Sequence, residues 1–585
     1  MEIFIERSSS SINNKGKYCN LLIFGLFLIG IVIIFLYGMG NVSATSGNTI
    51  YVNGSSGNDA WDGQSPTLQF DKSIFHGPKK SIKNAIGTVI AGGTVNIANG
   101  NYSGIDNTQI TIDKNVIING QSEDRTIING TNTNWIFFVP GGVNVTIKML
   151  TLTNGNSADG GAITNDAVLT ISDCNFTSNT ATDYNGGAIL DRGNGTVSVT
   201  GSDFAGNSAP NGGAISSSDL SWDDYPLLNI NTSSFVGNTA TNGNGGAIWI
   251  QIYDTLIVTS STFKDNLATY YGGAIDNQNF MSVSNSNFDG NSAQNGGAIS
   301  NFGNSPIGDV PITGCNFTGN NARIYGGAIY NTWWIDVHFN RIVGNIAEQG
   351  SAIYNSGGTL TDVTNNWWGQ NYGPTGELYG VTANTWLILI IKASESVKAN
   401  SNLIVTADLR YDDTGTLQTA GYVPNGIPIN FDATMGTVGI KSSTVNGITQ
   451  SIFKCGTVGK SALTANLDNQ TAFTLVKIID TTPPQVSSTS PKNGATGISK
   501  TTTIAVKFSE NIKSSIYINN ITVKNLTTGK TISIAKSITG NTLTIKTATK
   551  TANTWYTVTI PKAAIKDYAG NNLQANYTVK FKTGK

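Results

Sequence analysis

Charge is scarce in this chain. Asp, Glu, Lys and Arg make up 12% of 585 residues, about half the usual share for a soluble protein. Histidine occurs twice, at His76 and His338, so a histidine-based metal centre has no ligand set. Cys174, Cys315 and Cys455 are scattered and odd in number beyond the first 44 residues. They form neither a disulfide framework nor a zinc pattern. No long amphipathic helix pattern runs through the body of the chain. No GxxxxGK[ST] loop occurs between a strand and a helix, and AGGT at 91–94 lacks that setting. Little charge suggests a membrane or fibrous protein. The remainder, however, is Asn, Thr and Ser alternating with Ile, Val and Phe, which reads as strands and turns.

One long apolar run exists, LLIFGLFLIGIVIIFLY at 21–37, after Arg7, Lys15 and Lys17 and before GMGNVSA. This is the layout of an export signal cleaved after Ala44, and 17 residues also suffice for an uncleaved anchor. Either way the rest is expected outside the cytoplasm, touching a membrane only through that segment. Thirteen N-x-S/T sequons, Asn101, Asn129, Asn175, Asn316 and Asn576 among them, are compatible with glycosylation.

The phrase GGAI starts at residues 160, 186, 212, 245, 272, 296 and 326, and GSAI starts at 350. A second phrase, F-x-x-N, travels with it from Phe176, Phe204, Phe235, Phe263, Phe288 and Phe317, with Ile342 in the seventh copy. A unit recurring every 24 to 33 residues means a stacked architecture. Two glycines per unit exclude a helical solenoid. A parallel β-helix fits: each repeat is one coil, and like residues stack at about 4.8 Å. Phe and Ile then fill the core. Asn179, Asn207, Asn238, Asn266, Asn291, Asn320 and Asn345 form a hydrogen-bonded ladder. Two residues after the Ile of GGAI, a second column of Asn165, Asp191, Ser217, Ile250, Asn277, Asn301, Asn331 and Asn355 should also turn inward. GGAI itself reads as a corner, because glycine permits positive φ and close backbone approach. Cys174 and Cys315 share a register five rungs apart, about 24 Å, too far for a disulfide.

Other features are local. In KKSIKNAIGTVI, Ile82, Ala85, Ile86 and Val89 lie on one helical stripe that can plug the open end of the stack. Asp59 and Asp62 in GNDAWDG offer calcium-type oxygens, against an ordinary Asx-turn. Trp333–Trp334 and Trp367–Trp368 could each turn one ring outward as a platform for sugars, or cap the last coils. Trp222 and Tyr225 sit in an inserted segment, SSSDLSWDDYPLL, where such folds place binding function.

GGAI with F-x-x-N resembles the repeat of polymorphic outer-membrane proteins. The chain as a whole resembles adhesin-like, right-handed β-helix surface proteins of methanogenic archaea, including its entry segment from Asn48 and NNWWGQNYGPTG near the exit. VTADLRYDDTG, VPNGIPINF and SALTANLDN resemble one bacterial Ig-like type. DTTPP, SPKNGATGIS, VKFSENI and KDYAGNNL resemble a second. The resemblance implies an all-β protein: signal or anchor 1–44, entry and cap 45–100, right-handed parallel β-helix 101–392, an Ig-like sandwich 393–479, and a second, basic one 480–585. It implies a surface location and an adhesive role.

The β-helix fold also houses polysaccharide lyases and hydrolases, so fold alone does not decide. Such enzymes need clustered or paired carboxylates. Residues 150–380 hold 18 acids and four basic residues, Arg192, Lys264, Arg323 and Arg341, but the acids are scattered and only Asp191 enters the second column. Asp223–Asp224 is the one adjacent pair. A non-catalytic rod is expected, with no catalytic residue and no cofactor. Residues 485–585 hold 14 Lys against Glu510 and Asp567 alone. That surplus reads either as plain solubility or as a hold on an anionic wall polymer or surface glycan. Other cells are further candidate partners; nucleic acid is not expected, for want of interleaved basic and aromatic residues.

Overall fold

A computed structural model describes residues 48–585 except 72–73, 219–225, 304–309 and 358–360. The expected signal or anchor, Trp222, Tyr225 and Asp223–Asp224 lie outside the described residues. Two units divide the chain, ending and beginning at Thr239 and Ala240, and each is taken by itself. No helix among the described residues is long and apolar enough to cross a membrane.

In the first unit, parallel strands coil into a β-solenoid. One coil runs Ile163–Asn165, Val168–Ser172, Asn175–Thr177 and Thr180–Ala181. Each strand pairs in parallel with its counterpart in the next coil: Ile163 with Ile189, Leu169 with Val197, Phe176 with Phe204. Stacking begins already at Thr49–Val52, within the entry segment. The helix Ile82–Thr88 buries Ile82, Ala85 and Ile86 as its stripe requires, and Val89 is buried at its end.

The second unit continues the same construction from Ile248 to Tyr379, aligning Ile248, Ile275, Ile299, Ile329 and Ile353. Two mostly antiparallel sandwiches follow, with cores around Phe431 and Phe453 and around Phe508 and Phe581. Leu387–Lys392, expected to close the β-helix, pairs instead with Asn402–Asp412 of the first sandwich. Its Leu387 and Leu389 fill that sandwich's core, which is why the sequence alternates there.

Like side chains do stack. Phe176, Phe204 and Phe235 lie face to face at 4.7 Å per step, and Phe263, Phe288 and Phe317 at 4.9 and 4.8 Å. Beside them the asparagines bond coil to coil. Both the backbone N–H and the amide of Asn179 donate to Asn207 Oδ1 at 3.0 Å, and Asn207 repeats this toward Asn238. Asn266, Asn291, Asn320 and Asn345 do the same in the second unit. The amide's second hydrogen reaches the carbonyl of the core residue one coil back, Leu152 for Asn179 and a Phe farther along, as from Asn291 to Phe263. The column after GGAI is inward too: Asn277, Asn301, Asn331 and Asn355 form a chain of amide bonds of 2.7–2.8 Å.

A third inward column went unread in the sequence. It holds Cys174, Ser202 and Ser233 in one unit and Ser261, Ser286, Cys315, Asn340 and Asn366 in the other. Backbone N–H groups donate along it to Oγ, Sγ or Oδ1 of the next coil. Both cysteines are therefore structural. They are free and buried, and burial pushes their thiols up to about 12, far from the reactive range.

The glycines of GGAI have separate duties. The first adopts positive φ, +53° at Gly160 and +63° at Gly272. The second has no room: a Cβ on Gly273 would stand 2.1 Å from the carbonyl oxygen of Gly297 in the next coil, and one on Gly187 2.1 Å from that of Gly213. GSAI, with Ser351, is the last copy, with no further GGAI coil stacked on it. Gly273→Ala should therefore abolish the cooperative transition of the solenoid coils in the second unit in calorimetry. Gly344→Ala, where φ is positive but space is open, should cost only about 1–2 kcal/mol.

Candidate functional site

With three columns turned inward, function must use the outer face. The residue after the Ile of each GGAI points out, because side chains alternate along a strand. In the second unit this outward column reads Trp249, Asp276, Ser300, Tyr330, Tyr354 and Tyr379. Tyr271 and Tyr325, each just before a GGAI, and Phe302 lean onto it. The result is a continuous aromatic tract. Tyr354 stacks on Tyr379 at 4.6 Å and on Tyr325 at 4.4 Å. Tyr330 joins Tyr354 at 5.6 Å, and Tyr271 meets Phe302 edge-on at 4.8 Å. Most of these rings are half-buried, while Tyr379 is 48% exposed. Stacking uses up ring faces, so the surface on offer is a row of ring edges and phenol hydroxyls. Burial, then the neighbouring Tyr379, Tyr325 and Tyr330, raises the pKa of Tyr354 above the usual phenol value, which keeps its proton in place. None of these tyrosines stood out in the sequence, although YGGAI and AIYN carry them.

One end of the tract covers Asp276, a carboxyl with no exposure. Ser300 donates its hydroxyl to it, and Gln278 its amide at 3.3 Å. Burial pushes this carboxyl up to about 7 against those bonds and against the nearby Trp249 and Asn244 side chains. At the other end Glu377, raised by burial to about 7, keeps an Oε2 without a partner. These two acids stand four coils apart, about 19 Å at the usual strand spacing. A glycosidase pair needs about 5–10 Å, so they cannot work together as acid and base.

The residues singled out in the sequence fall elsewhere. Asp59 Oδ1 accepts the N–H groups of Lys80 and Ser81 at 2.9 Å, at the start of the entry helix. Asp62 bonds Gln64 N, Gly77 N and His76 Nδ1. Burial raises its pKa, but these bonds outweigh it and hold the group below the usual carboxylate range. Both acids thus order loop backbone. Trp333 and Trp334 stack on each other at 5.9 Å and are half-buried. In the second pair Trp367 and Trp368 are both buried, as the capping alternative requires and the outward platform does not. Trp367 enters the first sandwich's core with Phe339 and donates Nε1–H to Asp468 at 2.7 Å; Arg341 grips the same carboxylate. Strand alternation fails there because a second core covers what would be the outer face. The Asn ladder residues are structural throughout.

One group of acids has metal-ligand geometry. Asp480, Glu510 and Asp567 bring one oxygen each to within 4.8 Å of one another. This is an all-oxygen donor set, suited to a hard cation such as calcium. Asp567 also accepts bonds from Gly570 N and from both nitrogens of Asn571. Burial, then Asp567 and Asp480, raises Glu510 above the usual carboxylate range.

The architecture is thus all-β: a parallel β-solenoid followed by two sandwiches. Residues 480–583 match the family described as bacterial Ig-like domain. Over 209 residues the chain is 31% identical to "Probable autotransporter YfaL" of Escherichia coli (strain K12), which spans 34% of this chain and 15% of that relative. Among solved structures, similarity extends to a 282-residue fragment of intimin in complex with the intimin-binding domain of its translocated receptor. That match has 14% identity and a TM-score of 0.17 over 32% of this chain and 62% of that one. Domains 5–6 of the S-layer protein SbsC match at 15% identity and a TM-score of 0.13, over 34% of this chain and all of that one.

Asp276 yields a pH signature. A carboxyl raised on folding binds its proton in the folded state while the unfolded chain, near 3.8, has lost it. Stability should therefore fall by about 1.4 kcal/mol per pH unit as pH rises toward about 7, then level off. Asp276→Asn lacks this loss. Calorimetry of parent and variant should show the variant's relative melting temperature rising between pH 4.5 and 7 and flat above 8; a gap independent of pH would contradict it.

Proposed function

We propose that this is a cell-surface, adhesin-like binding protein whose β-solenoid is a non-catalytic scaffold. The observation that carries this is the division of faces. Inward columns bond to one another, Asp276 and Glu377 at the two ends of the tract are too far apart to act as a pair, and the outer face of the GGAI sheet carries a continuous tyrosine tract. Ring edges and hydroxyls on a rigid lattice suit a hydroxyl-rich partner, such as a cell-wall polymer, a surface glycan or another cell's coat. The likeness to a probable autotransporter supports export to the surface. So does the signal-like N-terminal segment, cleaved or retained as an anchor. Exposed Asn101 and Asn576 are the natural acceptors should the protein be glycosylated, as its resemblance to archaeal surface proteins suggests. The excess lysines of residues 480–585 hold an anionic polymer.

The test pairs binding with turnover. The full chain should bind intact cells or arrayed glycans and release neither unsaturated product nor new reducing ends from uronic-acid polymers with calcium. Tyr354→Ser with Tyr379→Ser should weaken binding about tenfold. Turnover, or binding indifferent to both tyrosines, would refute the reading.

A further inference from the structure

The lysines of the C-terminal sandwich have no acids to answer them. Glu510 and Asp567, the only acids of residues 485–585, are turned toward Asp480 and each other. Among the described residues, none of the fourteen lysines there forms an ion pair. Two of them, Lys513 and Lys566, stand directly opposite one another on paired antiparallel strands. Like charges in that position repel, and an anion held at Lys513 would ease the cost.

Lys513 also opens onto a cleft of about 470 Å³, within the usual range for small-ligand sites. It is also lined by Lys536, Asn519 and Tyr568, and by the half-buried Ile518 and Ile538. The ammonium groups are tethered. Lys513 Nζ donates to the Tyr568 carbonyl at 3.0 Å and lies 5.7 Å from that ring's centre. Lys536 Nζ donates to Asn519 Oδ1 at 3.0 Å. Each bond uses one of three hydrogens, leaving two per lysine for a ligand. The Tyr568 side chain stands in solvent, at 71% exposure.

We infer that this cleft is a binding site for a carboxylated sugar, a uronic-acid residue of an acidic polysaccharide. Lys513 and Lys536 take the carboxylate, Tyr568 offers its ring to the apolar face of the pyranose, and the Asn519 amide meets a hydroxyl. The inference rests on the surface-binding reading and gives its basic domain a ligand class. A phosphate polymer would satisfy the charges but leave the aromatic wall unused.

Isothermal titration of the full chain with oligogalacturonate tests it. Binding is expected, weakening with salt, and lost with the fully methyl-esterified oligomer, which keeps the sugar and lacks the charge. Lys513→Gln with Lys536→Gln should weaken it at least about tenfold, and Tyr568→Ala several-fold, with melting temperatures unchanged. Lys492→Gln with Lys500→Gln removes the same charge from exposed positions outside the cleft and should cost less than about twofold. The inference falls if the two double variants weaken binding equally, if the methyl ester or polyphosphate binds as well as oligogalacturonate, or if oligogalacturonate does not bind. Should the chain still bind cells in that last case, the surface reading survives without this site; binding to neither ends both.

Discussion

An asparagine side chain inside a coil can satisfy two neighbours at once. Its Oδ1 accepts the backbone N–H and amide of the preceding coil's asparagine, and its own amide bonds onward and to a Phe carbonyl. At every corner the chain leaves its sheet, and backbone groups there would be buried without partners, each costing about 1–3 kcal/mol. The ladder removes that penalty coil after coil. It works only if the coils stay in register at strand spacing, and the second glycine of GGAI allows the close approach that keeps them there.

Function follows from this constraint by exclusion. Side chains alternate, so a strand that commits one face to the columns has one face left. In the GGAI sheet of the second unit that face carries tyrosines and, beneath one end of them, a buried carboxyl. Most of the polar groups inside are bonded to each other or to backbone. The scaffold therefore separates its support from the face it offers to solvent. The C-terminal sandwich makes a different division, gathering its few acids at one point and leaving its lysines unanswered.

What could be read in the sequence depended on how strictly stacking demands one residue type. Phe on Phe, Asn on Asn and Gly over backbone admit few substitutes, so GGAI and F-x-x-N stood out, and with them the fold, the corner and both asparagine columns. The third column has one role but three chemistries, since Oγ, Sγ and Oδ1 all accept an N–H bond. Cys174 and Cys315 therefore shared a register in the sequence without revealing the serines and asparagines that complete their column. The tyrosine tract was hidden because its rings come from three offsets in the repeat: before GG, after AI, and one residue beyond the column. Leu387–Lys392 was misplaced because local alternation cannot reveal that a sandwich core joins the end of the solenoid.

Hydrogen exchange on the full chain carrying Asn291→Ala, read peptide by peptide, tests coil-to-coil bonding most directly. Protection should fall in the coils containing Asn266 and Asn320 as well as in the altered one, with residues 485–585 unchanged. Loss confined to the coil of residue 291, or no loss at all, would contradict the account.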